Sequence, residues 1–335
     1  MNPSLKYDSQ NYICDAHCDT LLNIAEGFDT KLVNAYNTSR RSPFIQLYAI
    51  WTDNGEGLIS KAAAGHYGIS QDDVFGYVKR CSGDYFGALE AAGLTHCGSF
   101  GDVAAAISSR SNISMPALEG SGFIDSLDKL HYVCEVLKIR FMMLTWNPSN
   151  ILAAGAGASF TDEDTGVTAY GREFLAECEK LGVAIDLSHA SFNTMQDVLT
   201  YFSGPVFASH SNFYSVTKHR RNLPDDVAGE IRRRGGFIGL NTYLPFVREG
   251  TSDFSLYKAG FIMDHVEYAL ANGYGDVIGF GFDIDGMEGY PCDIDLDKSI
   301  HDQYVEMLAG QGCIDGELLD KVKGGNFISF LKRMG

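Results

Sequence analysis

Val183-Ala184-Ile185-Asp186-Leu187 runs into Ser188-His189, and Val206-Phe207-Ala208 runs into Ser209-His210. Each is a short apolar run closed by a Ser-His step, and the steps lie about twenty residues apart, the length of one strand–helix–strand unit. Between such runs lie helical patterns. Gly171 to Leu181 places Phe174, Leu175, Cys178 and Leu181 at helical spacing with Gly182 as its stop, and Asp264 to Ala271 is a second. Apolar runs that lack polar alternation, set between helices, predict parallel strands buried on both faces.

The same pattern recurs outward in both directions. Tyr12–Ala16, Phe44–Ile50, Met115–Leu118, Phe141–Leu144, Phe237–Leu240 and Val277–Phe280 read as further strands. Eight such strands in about 270 residues predict an α/β fold, a (β/α)8 TIM-like barrel. No Pro/Gly/Ser linker, repeat or low-complexity segment divides the chain, so residues 1–335 read as a single barrel domain. Residues 61–115 carry the least clear strand pattern. Polar residues gather at the C-terminal ends of the runs, which in this fold form the active-site face.

The composition narrows the partners. A formal net charge of −17, from 26 basic and 43 acidic side chains, repels phosphate backbones and anionic surfaces, so nucleic acid is not expected as a partner. No run approaches the roughly 18 apolar residues of a membrane span. The opening MNPSLKYDSQNYICDAHCD shows no secretory pattern and the closing FISFLKRMG no lipid-anchor signal. Eight scattered cysteines without a CxxC pair suit a reduced compartment. A cytoplasmic protein without membrane attachment is the expectation.

Five run ends carry the chemistry. His17 and Asp19 in Asp15-Ala16-His17-Cys18-Asp19 are two apart, and period 2 at a strand end points both to one side, where an imidazole nitrogen and a carboxylate oxygen can share a divalent ion. Such a step alone is also a common turn with an Asp cap. Glu119 closes Pro116-Ala117-Leu118 beside glycines, and its two oxygens can reach two ions; a cap is the plainer alternative. His189 and His210 occupy equivalent positions on successive strands. Asp283 or Asp285, in Gly281-Phe282-Asp283-Ile284-Asp285-Gly286, faces the site, and alternation does not decide between them. Nitrogen and oxygen donors without thiolates suit zinc, manganese or iron. The other histidines sit in loop or helical patterns and read as surface or packing residues.

In order and spacing, DAHCDT, ALEG, IRFMMLTWN, LGVAIDLSHAS, FASHSN, HRRNLPDD, GFGFDIDG and the terminal GGNF resemble the membrane (renal) dipeptidase family of the amidohydrolase superfamily, over about Ile13 to Phe330. The resemblance implies a zinc-dependent dipeptidase with two Zn2+ per chain and a metal-bridging hydroxide. His17 and Asp19 would bind the first ion, Glu119 would bridge, and His189 and His210 would bind the second. It implies Asp283, rather than Asp285, as the catalytic base. Arg221, with Arg220 as its rival, would meet the substrate carboxylate, and Tyr243 would line the pocket. Dipeptides with a D-residue at the C-terminal end fall within the family's range, and a homodimer within its habit. One departure concerns Trp146, which stands in Leu144-Thr145-Trp146-Asn147 where the mammalian enzyme has a carbonyl-polarising histidine; an indole cannot become cationic. Phe282 stands where small residues are common and is expected to narrow the pocket floor. Hydrolysis of other N-acyl amino acids, or a non-catalytic metal-binding barrel, are the alternative expectations.

Overall fold

The computed structural model describes residues 12–27, 42–250 and 253–334. The segment read above as free of a secretory pattern lies in part, at residues 1–11, outside them. The strands are β1 (Ile13–Asp15), β2 (Phe44–Trp51), β3 (Thr95–His96), β4 (Ile113–Glu119), β5 (Phe141–Met143), β6 (Ala184–Asp186), β7 (Val206–Phe207), β8 (Ile238–Leu240) and β9 (Ile278–Phe280). All pairings between them are parallel, in the order β7-β6-β5-β4-β2-β1-β9-β8. Ala208, just past β7, closes the ring: its N–H donates to Phe237 O at 2.8 Å and its carbonyl accepts from Gly239 N at 2.7 Å. At this seam a Cβ on Gly239 or on Gly281 would collide with the Ser209 carbonyl, so the backbones approach as closely as glycine permits. The expected (β/α)8 TIM-like barrel is the observed fold.

All eight expected strands are present, each within a residue or two of its expected ends. The unclear stretch 61–115 holds helices Lys61–Tyr67, Val74–Ala92 and Phe100–Ser108 and the two-residue β3. β3 pairs with the start of β4, Thr95 beside Ile113, below the level at which β5 takes over that edge. It is thus an addition to the barrel wall, too short to leave a periodic signal.

Period 2 sorts the strand residues into two cores. On β2, Ile45 and Leu47 join the barrel interior with Met115, Phe141, Ala184 and Phe207. Tyr48 and Ile50 face the helices with Leu118, Ile185 and Leu240. Helix starts are fixed by local chemistry. Thr168 accepts from Gly171 N at 2.9 Å to open Ala169–Lys180, and Ser191 accepts from Thr194 N at 3.1 Å to open Phe192–Tyr201.

Phe282 does not behave as the sequence suggested. It is fully buried and lies against His301 (5.1 Å between ring centroids) and Tyr304 (4.5 Å), outside the barrel. It therefore joins β9 to helix Ile300–Ala309 and does not narrow the pocket floor. Among the described residues no helix is long and apolar enough to cross a membrane.

Candidate active site

Two strand-end carboxylates shape the loops of the site in the same way. Asp15 Oδ1, at the end of β1, accepts from His17 N at 3.1 Å and from Phe282 N, beyond β9, at 3.2 Å. Asp186 Oδ1, at the end of β6, accepts from Ser188 N at 2.9 Å and from Ser209 N, beyond β7, at 3.0 Å. Each thus ties the turn after its own strand to the neighbouring strand end, and these turns carry His17, His189 and His210. Asp15 is held from behind by His301, whose Nε2 lies 2.6 Å from Asp15 Oδ2. The chain turns further through left-handed backbone at His189 (φ 65°), Asp283 (φ 64°) and Asp285 (φ 69°), rare for residues with a side chain and typical of functional loops.

These turns bring His17, Asp19, Glu119, His189, His210 and Asp283 together at the C-terminal face, all of them buried. His17 Nε2 lies 3.4 Å from Asp19 Oδ2, 3.7 Å from Glu119 Oε2 and 3.6 Å from Asp283 Oδ1. His189 Nε2 lies 3.0 Å from Glu119 Oε1, so Glu119 presents one oxygen to each imidazole. The ring of His210 packs 3.8 Å from that of His17, centroid to centroid. Asp283, not Asp285, is the member of the pair that enters the cluster. Asp285 Oδ2 instead accepts from Thr20 Oγ1 at 2.9 Å.

Burial sets the electrostatics. It works against the charge on every member, and the neighbours decide the outcome. Burial pulls His17 down, but Asp19, Glu119 and Asp283 together lift it to about 10. Burial, reinforced by Asp19, drives Glu119 well above the carboxylate range; burial raises Asp283 to about 6 against the pull of His17. His189 and His210 are pushed well below the ordinary histidine range by burial, with His17 and Arg221 adding to it, so both are neutral. A neutral imidazole offers a lone pair on one nitrogen only. His189 Nδ1 faces the Asn147 side-chain oxygen at 2.9 Å and His210 Nδ1 faces Ser209 Oγ at 2.7 Å, which aims both Nε2 atoms at the cluster.

That arrangement fits divalent cations. Among the described residues, Asp19 Oδ1, Glu119 Oε2 and His210 Nε2 are buried without a hydrogen-bond partner, an expensive state for acceptors unless an ion satisfies them, and His17 Nε2 beside them likewise has none. Donor atoms of His17, Glu119 and His210, and likewise of His17, Asp19 and Asp283, lie within 4.8 Å of one another. A cation shared by His189 and Glu119 satisfies both without protonating either. Gly286 completes the cradle, because a Cβ there would collide with Asp19 Oδ2 and Asp283 Oδ1. Gly286→Ala is therefore expected to displace both carboxylates and to weaken divalent-cation uptake, read as a right-shifted titration with a divalent cation while circular dichroism shows the fold intact.

The cluster opens into a cavity of about 450 Å³. It is lined by the paired rings of Trp51 and Trp146 and of Tyr243 and Phe246, with Met287, the half-buried Asp285 and the exposed Glu288. Arg221, 2% exposed, lies with its guanidinium over the Phe246 ring at 5.3 Å. Its Nε and Nη2 have no hydrogen-bond partner, and Nη1 reaches only Ser211 Oγ at 3.5 Å. Arg220, the rival, is exposed and donates to the Gly157 carbonyl at 2.8 Å. Sequence reasoning missed Asn241, whose amide donates to Asp283 Oδ2 at 3.0 Å, and gave no role to Asn147 or Trp51. Asn241 directly follows an apolar run, as the selected residues do, and that was its only signal.

Barrel and cluster together define a barrel of the metal-dependent hydrolase type. The chain belongs to the membrane dipeptidase family (peptidase family M19), whose sequence pattern matches residues 84–334. It is 36% identical over 157 residues to an uncharacterized dipeptidase of Schizosaccharomyces pombe, a match covering 46% of this chain and 37% of that protein. The chain thus aligns with well under half the length of this relative. Among solved structures, a metallo peptidase from Rhodobacter sphaeroides, liganded with a phosphinate mimic of the dipeptide L-Ala-D-Ala, superposes with a TM-score of 0.77 at 22% identity over 96% of this chain and 99% of its own. The probable dipeptidase PvdM from Pseudomonas aeruginosa gives 0.80 at 15% identity over 98% and 96%. At such identities the superpositions establish the fold.

Proposed function

We infer that the chain is a zinc-dependent dipeptidase with a two-ion centre, acting on small dipeptides that include those with a C-terminal D-residue. The observation that carries this reading is the buried set of unpartnered donors around Glu119, which opens directly into a cavity of dipeptide size. His17 and Asp19 would hold one ion, His189 and His210 the other, and Glu119 both. Ions there would supply a water acidified to near neutrality and a Lewis acid for the scissile carbonyl.

The chain's own residues do the rest. Asp283, anchored by Asn241, accepts the proton of the attacking water and passes it to the leaving amine. Arg221 meets the substrate's terminal carboxylate through its two unpartnered donors, in the forked geometry that suits a guanidinium. Asp285 and Glu288, which line the cavity with Asp19, suit a free α-ammonium group. That favours dipeptides over N-acyl amino acids, which carry no such charge. Trp146 supplies an apolar wall with one N–H donor that cannot become cationic, so polarisation of the carbonyl would fall mainly to ions held by His17, Asp19, Glu119, His189 and His210.

The test is turnover of L-Xaa-L-Xaa and L-Xaa-D-Xaa dipeptides by zinc-loaded protein, its abolition by a chelator, and about two zinc ions per chain by elemental analysis, as a two-metal site requires. Zinc-loaded protein that turns over neither series overturns the reading. Arg221→Met is expected to raise KM by about thirtyfold or more with a smaller change in kcat. Losing one partner of a desolvated charge pair costs on the order of 2 kcal/mol or more. Steady-state kinetics on one good dipeptide checks it.

A further inference from the structure

Around the barrel the strands run β1, β2, β4, β5, β6, β7, β8, β9, so β4, which ends in Glu119, stands opposite β8. Trp51 ends β2 and Trp146 follows β5, and the two indoles therefore flank Glu119. They form one wall, with ring centroids 5.5 Å apart and planes crossed at 82°. Trp146 is held in turn by stacking on His189 at 5.8 Å and 29°. The opposite wall, after β8, is Tyr243 and Phe246, with the Arg221 guanidinium over the Phe246 ring. A substrate whose carboxylate meets Arg221 has its leaving residue on the β8 side. With its scissile carbonyl over the cluster, such a substrate would extend its first residue toward the β2–β5 side.

Resting on the dipeptidase reading, we propose that Trp51, together with Trp146, forms the subsite for the side chain of the amino-terminal residue, and that the preferred substrates are dipeptides with an apolar or aromatic residue in that position. Two crossed indoles present ring faces and edges with a single N–H donor each, a surface that rewards apolar and aromatic contact. The ammonium of the same residue would meet the cavity's acidic lining residues Asp285 and Glu288, leaving the side chain to the indole faces. Trp51 is the determinant to vary, because its ring packs on Trp146 whereas Trp146 also stacks on His189.

The chain has two tryptophans, and both are in this wall, so its intrinsic fluorescence reports on the subsite directly. With zinc-loaded protein, kcat/KM is expected to rise at least about tenfold from Gly-L-Ala to L-Leu-L-Ala and L-Phe-L-Ala, the scale of discrimination a hydrophobic pocket offers. Trp51→Ala should lower kcat/KM for L-Phe-L-Ala at least about tenfold more than for Gly-L-Ala, and Trp51→Phe should keep most of the difference. In the Asp283→Asn protein, L-Phe-L-Ala should change tryptophan emission and half-saturate at least about tenfold lower than Gly-L-Ala. A flat series in the native protein, an equal loss on every dipeptide in Trp51→Ala, or binding that leaves the emission unaltered overturns the subsite. If no dipeptide is hydrolysed, the dipeptidase reading falls. The fluorescence titration still decides the subsite, a difference between the two dipeptides supporting it and equal binding overturning it.

Discussion

Replacing Asp283 by Asn is expected to cut kcat on a good dipeptide by about a hundredfold to ten-thousandfold, the span that general acid–base catalysis supplies, while the protein still binds zinc. The substitution keeps the shape and the hydrogen-bonding reach of the side chain, so Asn241 retains a partner and the loop through the left-handed Asp283 backbone is preserved. Asparagine tolerates that conformation better than most residues. What is lost is a basic oxygen. Burial raises the Asp283 carboxyl to about 6 in the metal-free cluster, and bound cations pull it down from there. The native kcat therefore falls as pH drops, along an acidic limb centred below about 6, where the base takes up its proton. Asp283→Asn should lose that limb together with the rate. Steady-state kinetics from pH 4 to 9, with zinc content measured on the same samples, separates the two possibilities. A rate within tenfold of native would exclude Asp283 as the base, and a loss of zinc would reassign it as a ligand.

The strands were legible because each is buried on both faces and leaves an uninterrupted apolar run bounded by turn residues. The cluster was legible for a related reason. A carboxylate or imidazole at the end of such a run has no solvent to face, so its presence needs a partner that the run does not contain. His189 and His210 could be selected this way before any distance was known. What stayed hidden depends on contacts between distant parts of the chain. Asn147 and Ser209 decide which nitrogen of each histidine faces the centre, yet in the sequence Ser209 is an ordinary turn residue. His301 supports Asp15 from a helix 286 positions away, and it reads in sequence as one polar residue in an amphipathic pattern. Phe282 misled because it stands where small residues are common in the family, which suggested a narrowed pocket floor, while its side chain packs onto helix Ile300–Ala309. Trp51 escaped because it closes a strand that is apolar but for Gln46, so it reads as one more core residue. The choice of Asp283 over Asp285 came from family likeness; in the structure Asp283 joins the cluster and Asp285 accepts from Thr20.

Glu119→Gln should separate what the cluster costs from what it does. In the zinc-loaded protein the loss of turnover is expected to exceed the about 10- to 100-fold that follows from losing an outer partner of a ligand, because Glu119 alone faces both halves of the cluster. One of its oxygens approaches His17 and the other His189. An amide offers one weak oxygen donor in place of two charged ones, so zinc content should fall from about two ions toward one or none. Stability should move the opposite way in chelated protein. Without a cation, Glu119 is a buried carboxylate driven well above its usual range by burial and by Asp19, beside Asp283, which burial also raises. The native carboxyl must hold a proton above its ordinary range to avoid the cost of a buried charge, and a neutral amide removes both the repulsion and that cost. Chelated Glu119→Gln is thus expected to melt no lower than chelated native protein. Excess zinc should raise the native melting temperature strongly and that of the variant little, since only a folded site that binds the ion gains stability from it. Scanning calorimetry on both proteins, with chelator and with zinc, reads all four values. A variant that melts well below native in chelator would mean that Glu119 stabilises the empty fold. An equal rise on zinc in both proteins would mean that the ions sit elsewhere.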